Sequence, residues 1–125
     1  MQATLKFFRL SENAFAPTRG PGHVAYTVYA SEWVEIPAGA AVHVPTDLLL
    51  AFPTGCYGRV CGLKQLASNW DLWTFGDVID DATELPLSIL IRNNGHHPYL
   101  VTRGPAIGQI ICEVARTPDL EEVDG

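Results

Sequence analysis

Asp80 and Asp81 are the adjacent residues of this chain whose types best suit acid–base chemistry. A carboxylate held beside a reacting water can accept its proton, and a neighbouring carboxylate tunes that exchange. A solvated turn between two strands is the competing interpretation, and it is favoured because aspartate is common in turns. The glycine-containing run 54–60 and the segment 78–81 are typical of segments that frame a nucleotide pocket, but few cationic residues lie near them.

The other metal-ligating and nucleophilic residues predict no site. His96 and His97 are adjacent, and on a strand their side chains would point to opposite faces, which argues against a shared metal. Cys56, Cys61 and Cys112 have no CxxC spacing. They are predicted to be reduced, partly buried thiols of an intracellular protein. No metal site is therefore expected.

Trp70 and Trp73 flank a segment predicted to be a turn, residues 69–73. Packing in the core or between subunits would account for them. A partner-binding patch is the alternative, because aromatic side chains contribute much of the binding energy at protein interfaces.

Composition limits the class of protein. With 125 residues and 47% hydrophobic residues, the chain is predicted to be one domain spanning residues 1–125. A net charge of −6 without a basic stripe argues against a polymeric nucleic acid as partner. No apolar run reaches the length of a membrane span, and no secretory signal is visible, so a place in the cytoplasm or nucleus is expected.

Short apolar runs between frequent glycine and proline residues predict an all-β fold, either a barrel, a sandwich or a jelly roll. The runs cover residues 24–29, 41–44, 48–52, 87–91 and 107–114. Only residues 63–68 have a helical pattern, long enough for one or two turns. The polar, acidic segment 115–125 is predicted to be a C-terminal arm that is frayed or docked on another subunit.

Several segments together resemble the trimeric dUTP pyrophosphatases (dUTPases) over nearly the whole chain. The resemblance is carried by residues 9–20, 46–48, 55–60, 78–81 and 104–123, which fall in the family's order and register. It implies a dUTPase-like β jelly roll (a distorted barrel), a homotrimer with exchange of the C-terminal arm, and active sites between subunits. It also implies magnesium bound through the phosphates of the nucleotide.

The chain departs from the family's motifs at most of the phosphate-binding positions. Asp80 matches the aspartate that activates water, and Gln109 matches the glutamine of the fourth motif. Leu63 stands in place of the arginine of the second motif, and Lys64 in place of its serine. Other substitutions are Thr27 for the acidic residue of the first motif, Thr83 for the tyrosine that packs on the deoxyribose, and Pro105-Ala106 for an Asp-Arg pair. The fifth motif is not found before Gly125.

These departures predict a catalytically dead protein that acts through protein–protein interaction with an unidentified host factor. Losing these cations would remove on the order of 5–9 kcal/mol of interaction energy with the phosphates. That loss corresponds to roughly three to six orders of magnitude in rate or affinity. The chain also resembles, more loosely, the adenoviral proteins encoded by the first reading frame of early region 4, which predicts a viral origin. Its last residues, Val123 to Gly125, do not form a PDZ-ligand tail.

Two alternatives stay open. One is a magnesium-dependent dUTP pyrophosphatase with residual activity, in which Asp80, Gln109 and Lys64 perform the reaction. The other is a protein that binds a deoxyuridine nucleotide without hydrolysing it. Only the first alternative requires a cofactor, magnesium.

Overall fold

A computed structural model describes residues 3–80 and 85–125 of the chain, which form ten strands and one short helix. The strands are β1 (Lys6–Arg9), β2 (Ala25–Tyr29), β3 (Val34–Ile36), β4 (Ala41–Ala51), β5 (Cys56–Cys61), β6 (Leu72–Thr74), β7 (Asp77–Ile79), β8 (Leu87–Asn93), β9 (Tyr99–Val101) and β10 (Ala106–Val114). The helix, α1, spans Lys64–Trp70. The expectation of an all-β protein with a jelly-roll fold is confirmed.

Two four-stranded antiparallel sheets enclose the core. Their orders are β1-β4-β8-β6 and β2-β10-β5-β7, and a two-stranded sheet pairs β3 with β9. The strands alternate buried and exposed residues, as in β8, because successive side chains point to opposite faces. The inward-facing members form one apolar cluster, in which Val28, Val44, Leu48, Ile89 and Ile110 are fully buried.

A bulge in β4 explains why the sequence shows two apolar runs where the structure has one long strand. The β4–β8 register shifts between Pro45 and Leu48, because Pro45 has no N–H to donate and Asp47 adopts φ = 54°. Thr46 compensates for the interruption. Its hydroxyl donates to the carbonyl of Leu87 at 2.7 Å and accepts from the N–H of Leu48 at 3.3 Å.

The helix and the cysteines agree with their predictions. α1 has seven residues, ends at Trp70, and is followed by Asp71 in the left-handed conformation. The three cysteines are free and half-buried. Among residues 3–80 and 85–125 no helix is long and apolar enough to cross a membrane.

Candidate functional site

Asp80 lies directly after β7, the edge strand of the second sheet, and its side chain is exposed. β7 pairs with β5 so that Val78 faces Arg59 and Ile79 faces Gly58. One residue further, the same register brings Asp80 beside Tyr57. Ile79 is buried, so the side chain of Asp80 points to the outward face of the sheet, as do those of Val78 and Arg59.

Asp80 lines an open cavity of ≈ 560 Å³. The other described lining residues come from the start of β5, from β7 and from the segment after β10, and they are Gly55, Cys56, Tyr57, Val78, Ala115 and Thr117. Residues 54–60 and 78–80, the described parts of the two segments that were predicted to frame a pocket, therefore do meet. Cys56, Tyr57 and Thr117 were not predicted as site residues. For Tyr57, its position inside the run 54–60 was the sequence feature that could have identified it as a site residue.

The cavity has little positive charge of its own. Among its described lining residues Asp80 is charged and none is lysine or arginine. Arg59 lies on β5 opposite the lining residue Val78, and its Nε and Nη2 donate to Glu113 at 2.9 and 3.3 Å. Tyr57 also donates to Glu113, at 2.7 Å. Because Glu113 holds this guanidinium, Arg59 is not available to a phosphate without losing an ion pair.

This network shifts three pKa values. Hydrogen bonds from Arg59 and then Tyr57 lower the pKa of Glu113, because both donors favour the carboxylate. The hydrogen bond to Glu113 raises the pKa of Tyr57, since donation requires the protonated phenol. The same carboxylate raises the pKa of Arg59. Arg59 is exposed and Tyr57 and Glu113 are half-buried, so the network links β5 to β10 through contacts that solvent reaches and salt weakens.

Lys64 lies in a different cavity from Asp80. It is the exposed first residue of α1, and it lines a space of ≈ 410 Å³ between the helix and β6. Leu63, predicted to replace an arginine, is 8% exposed and forms the N-cap of the helix with an extended backbone. The described residues of this cavity include no acidic side chain.

Gln109 lies on the central strand β10, in a row with Thr27 on β2 and Cys61 on β5. All three point to the same outward face as Asp80. Gln109 lies four residues along β10 from Glu113, and Asp80 lies two strands away from Glu113 across the sheet. The strand rise and the strand spacing place Gln109 and Asp80 about 17 Å apart. Within one chain, Asp80, Lys64 and Gln109 therefore do not converge.

Trp70 and Trp73 are exposed, at 56% and 51% of their surface. Trp70 ends α1 and packs against Tyr99, and Trp73 lies in β6 and donates to the carboxylate of Asp71 at 2.6 Å. The predicted turn at residues 69–73 is therefore wrong, because the helix and strand β6 meet at Asp71 alone. Packing in the core of a single chain does not account for either residue.

His96 and His97 lie in the loop between β8 and β9, not on a strand, and both line the same cavity. The prediction that the two side chains point to opposite faces of a strand is therefore wrong. Within the described part of the chain no group of three or more His, Cys, Asp or Glu residues has the arrangement of a metal site. Asp81 and Thr83, which were named from the sequence, lie outside the described residues.

The dUTPase family model matches residues 12–125. The deoxyuridine 5'-triphosphate nucleotidohydrolase of Rattus norvegicus is 40% identical over 122 residues, covering 97% of this chain and 60% of the rat protein. The chain thus spans less than two thirds of that relative. The protein of the same description from Fowl adenovirus A serotype 1 (strain CELO / Phelps) is 32% identical over 120 residues, covering 95% of this chain and 67% of that protein.

Among solved structures, the dUTPase of Staphylococcus bacteriophage 80alpha with dUPNHPP superposes with a TM-score of 0.91. It is 21% identical, and the match covers 98% of this chain and 89% of the phage chain. At that identity the likeness supports the jelly-roll fold alone.

These relatives correct the prediction of a catalytically dead protein acting through a host factor. Proteins 32% to 40% identical over nearly the whole chain are named as nucleotidohydrolases, so the prediction of no enzymatic activity is wrong. The prediction summed the lost hydrogen bonds to phosphate as independent contributions. Residues that act as a unit in catalysis are strongly non-additive, so such a sum overestimates the loss. The adenoviral origin remains a prediction.

Proposed function

The chain belongs to the dUTPase family, and from that premise we propose that it hydrolyses dUTP to dUMP and diphosphate. The observation that supports this most strongly is the family match over residues 12–125 together with the position of Asp80 in a cavity of ≈ 560 Å³. Relatives that are 32% to 40% identical to this chain are named for the hydrolysis of deoxyuridine 5'-triphosphate.

Asp80 acts as the general base in this proposal. Its carboxylate accepts a proton from a water that attacks the α-phosphorus, the bond from that phosphorus to the oxygen bridging to the β-phosphorus breaks, and diphosphate leaves. The exposed, open position of Asp80 at the end of an edge strand admits both water and a nucleotide. Tyr57 forms the wall of the cavity beside Asp80, and its hydrogen bond to Glu113 holds the ring in place.

Magnesium enters with the substrate, as the magnesium complex of dUTP. The described residues contain no cluster of three ligands for a resident ion, and magnesium is commonly held by substrate phosphates with one or two carboxylates. The ion neutralises phosphate charge, which matters here because the described lining of the Asp80 cavity contains no lysine or arginine.

The motif substitutions lower the rate of this reaction without abolishing it. Leu63 is buried and uncharged where the family has an arginine, and Pro105-Ala106 replace an Asp-Arg pair. Lys64 is the remaining cation of the second motif, and a lysine ammonium replaces only part of what a guanidinium fork provides. A slow dUTP hydrolase is therefore proposed, with Lys64 and Gln109 as phosphate-binding residues.

The active site is completed between subunits of a homotrimer. Asp80 and Gln109 are about 17 Å apart on one chain, which is longer than a triphosphate group. This separation supports an arrangement in which the Asp80 and the Gln109 that meet one triphosphate come from different chains. The arm at 115–125 supports this arrangement, because Leu120 is 101% exposed and Val123 is 74% exposed. Exchange of this arm onto a neighbouring subunit would bury both side chains.

The test is product analysis of purified protein incubated with dUTP and magnesium. The proposal requires dUMP and diphosphate in equal amounts, with loss of activity on chelation of magnesium. Parallel reactions with UTP and dCTP measure selectivity for the sugar and the base. Release of dUDP and inorganic phosphate, or no product above that of the Asp80→Asn variant, would overturn it.

A further inference from the structure

A second cavity, of ≈ 480 Å³, lies at the C-terminal end of α1, and it shares Ala67 and Ser68 with the cavity that Lys64 lines. It is bounded by the end of the helix on one side and by the loop from β8 to β9 on the other. Its described lining residues are Ala67, Ser68, Asn69, Trp70, Asp71, Asn93, Gly95, His96, His97, Pro98 and Tyr99. None of them lines the Asp80 cavity.

The cavity is preformed, because Asn93 fixes its floor. Asn93 is 1% exposed, and its amide donates to the carbonyls of Ile36 and His97 at 2.9 and 2.8 Å, while its Oδ1 accepts from the N–H of Gly95 at 2.9 Å. The N–H of Asn94 donates to the carbonyl of Asp71 at 2.9 Å, which ties the loop to the end of the helix. Because these hydrogen bonds already fix the walls of the cavity, a ligand that binds here does not have to order the surrounding loop.

Two aromatic rings form a notch in the wall of this cavity. The rings of Trp70 and Tyr99 have centroids 5.5 Å apart and an interplanar angle of 55°. Trp70 is 56% exposed, so its ring is accessible to a ligand. The electron-rich faces of indole and phenol attract cations, and indole does so most strongly.

The charge around the notch is also suited to a cation. Asp71 is one of the lining residues, and Oδ1 of its carboxylate accepts from the indole N–H of Trp73 at 2.6 Å. The C-terminal end of α1 adds partial negative charge from its last carbonyls. The described lining contains no lysine or arginine, and the net charge of the chain is −6. The nearby guanidinium of Arg92 donates to Asn94 and is not among the lining residues.

We propose that this cavity binds the guanidinium of an arginine side chain presented by a segment of a partner protein. A planar guanidinium stacks on an aromatic face while its fork of N–H donors engages a carboxylate, and a lysine ammonium cannot do both. The cavity is larger than one side chain, so residues flanking the arginine also enter it. This binding is independent of dUTP hydrolysis.

The test uses ¹⁵N-labelled full-length protein and the peptide acetyl-Gly-Arg-Gly-amide. The chain has three tryptophans, and the indole N–H signal of Trp70 is assigned by comparison with a Trp70→Phe variant. A saturable shift of the Trp70 signal is expected. Replacing arginine with citrulline, which keeps the shape and removes the charge, should abolish it, and replacing arginine with lysine should weaken it.

Asp71→Asn is the decisive variant. Asp71 has φ = 54°, a conformation that asparagine adopts readily, and the amide oxygen still accepts from Trp73, so the fold is preserved while the charge is removed. The affinity for the arginine peptide should fall roughly three- to tenfold. Asp119→Asn, in the exposed arm, is the matched control and should leave the affinity unchanged. An equal response to citrulline, no effect of Asp71→Asn, or no shift of the Trp70 signal would overturn the proposal.

Discussion

Tyr57 donates a 2.7 Å hydrogen bond to Glu113 across the directly paired positions of β5 and β10. The same carboxylate oxygen accepts from Arg59 Nε at 2.9 Å, so one acidic residue holds both an aromatic wall of the proposed active site and the guanidinium of Arg59. The network lies on the same outward face of the sheet as Asp80.

The Glu113 network predicts a pH dependence of stability. Hydrogen bonds from Arg59 and Tyr57 lower the pKa of Glu113 in the folded state, so this carboxylate stabilises the fold above its unfolded pKa. The stabilisation is lost as the pH falls through the lowered pKa. The difference in melting temperature between wild type and Glu113→Gln should therefore be largest near neutral pH and vanish in acid. A difference that stays constant across this acidic range would contradict the role given to the charge.

Gly58 is predicted to be intolerant of any side chain. A Cβ atom there would lie 2.2 Å from Cζ of Phe52, itself a core residue that is 7% exposed. Gly58→Ala should destabilise the protein by about 1–3 kcal/mol, the typical cost of overpacking a core. Gly76→Ala is the control, because its nearest neighbour would be the carbonyl oxygen of Val60 at 3.7 Å. Urea unfolding of both variants measures the difference, and equal midpoints would refute the steric argument.

Thr74 carries a buried hydroxyl for which the structure of residues 3–80 and 85–125 provides no hydrogen-bond partner. Thr74→Val keeps the shape and removes the unsatisfied oxygen, so the free energy of unfolding should stay the same or rise by about 1 kcal/mol. Thr74→Ser keeps the hydroxyl, loses a methyl group and should destabilise. If urea unfolding shows that Thr74→Val lowers the free energy of unfolding by more than about 1 kcal/mol, the hydroxyl has a hydrogen-bond partner.

Most of the fold was predictable from residue patterns, whereas the positions of the site residues relative to one another were not. The short apolar runs, some alternating and some continuous, predicted β2, β4, β8 and β10, each of which has side chains in the core. The three-residue strands β6 and β7 escaped prediction, since they are short edge strands with exposed residues such as Trp73 and Val78. The runs containing Tyr57 and Asp80 were predicted to frame one pocket, but no local pattern indicates that Tyr57 is the residue beside Asp80, because that depends on the register of β5 with β7.

Lys64 is predicted to contribute to substrate binding as the remaining cation of the second motif. Lys64→Ala should lower kcat/KM for dUTP roughly five- to tenfold, since a partly exposed charged hydrogen bond is worth about 1–1.4 kcal/mol. Lys64→Arg should retain most of the activity, because it keeps the charge. Steady-state kinetics with Gln65→Ala as the neighbouring control test this, and identical kinetics for Lys64→Ala and wild type would remove Lys64 from the site.

Steady-state release of diphosphate from magnesium-dUTP, compared between wild type and Asp80→Asn, tests the central claim most directly. The asparagine side chain would have the shape of the aspartate but could not accept a proton, so the rate should fall at least roughly 100-fold, the contribution of one general base. Circular dichroism of both proteins provides the control for folding. A wild-type rate equal to that of the Asp80→Asn variant would contradict the assignment of dUTP hydrolysis to this site.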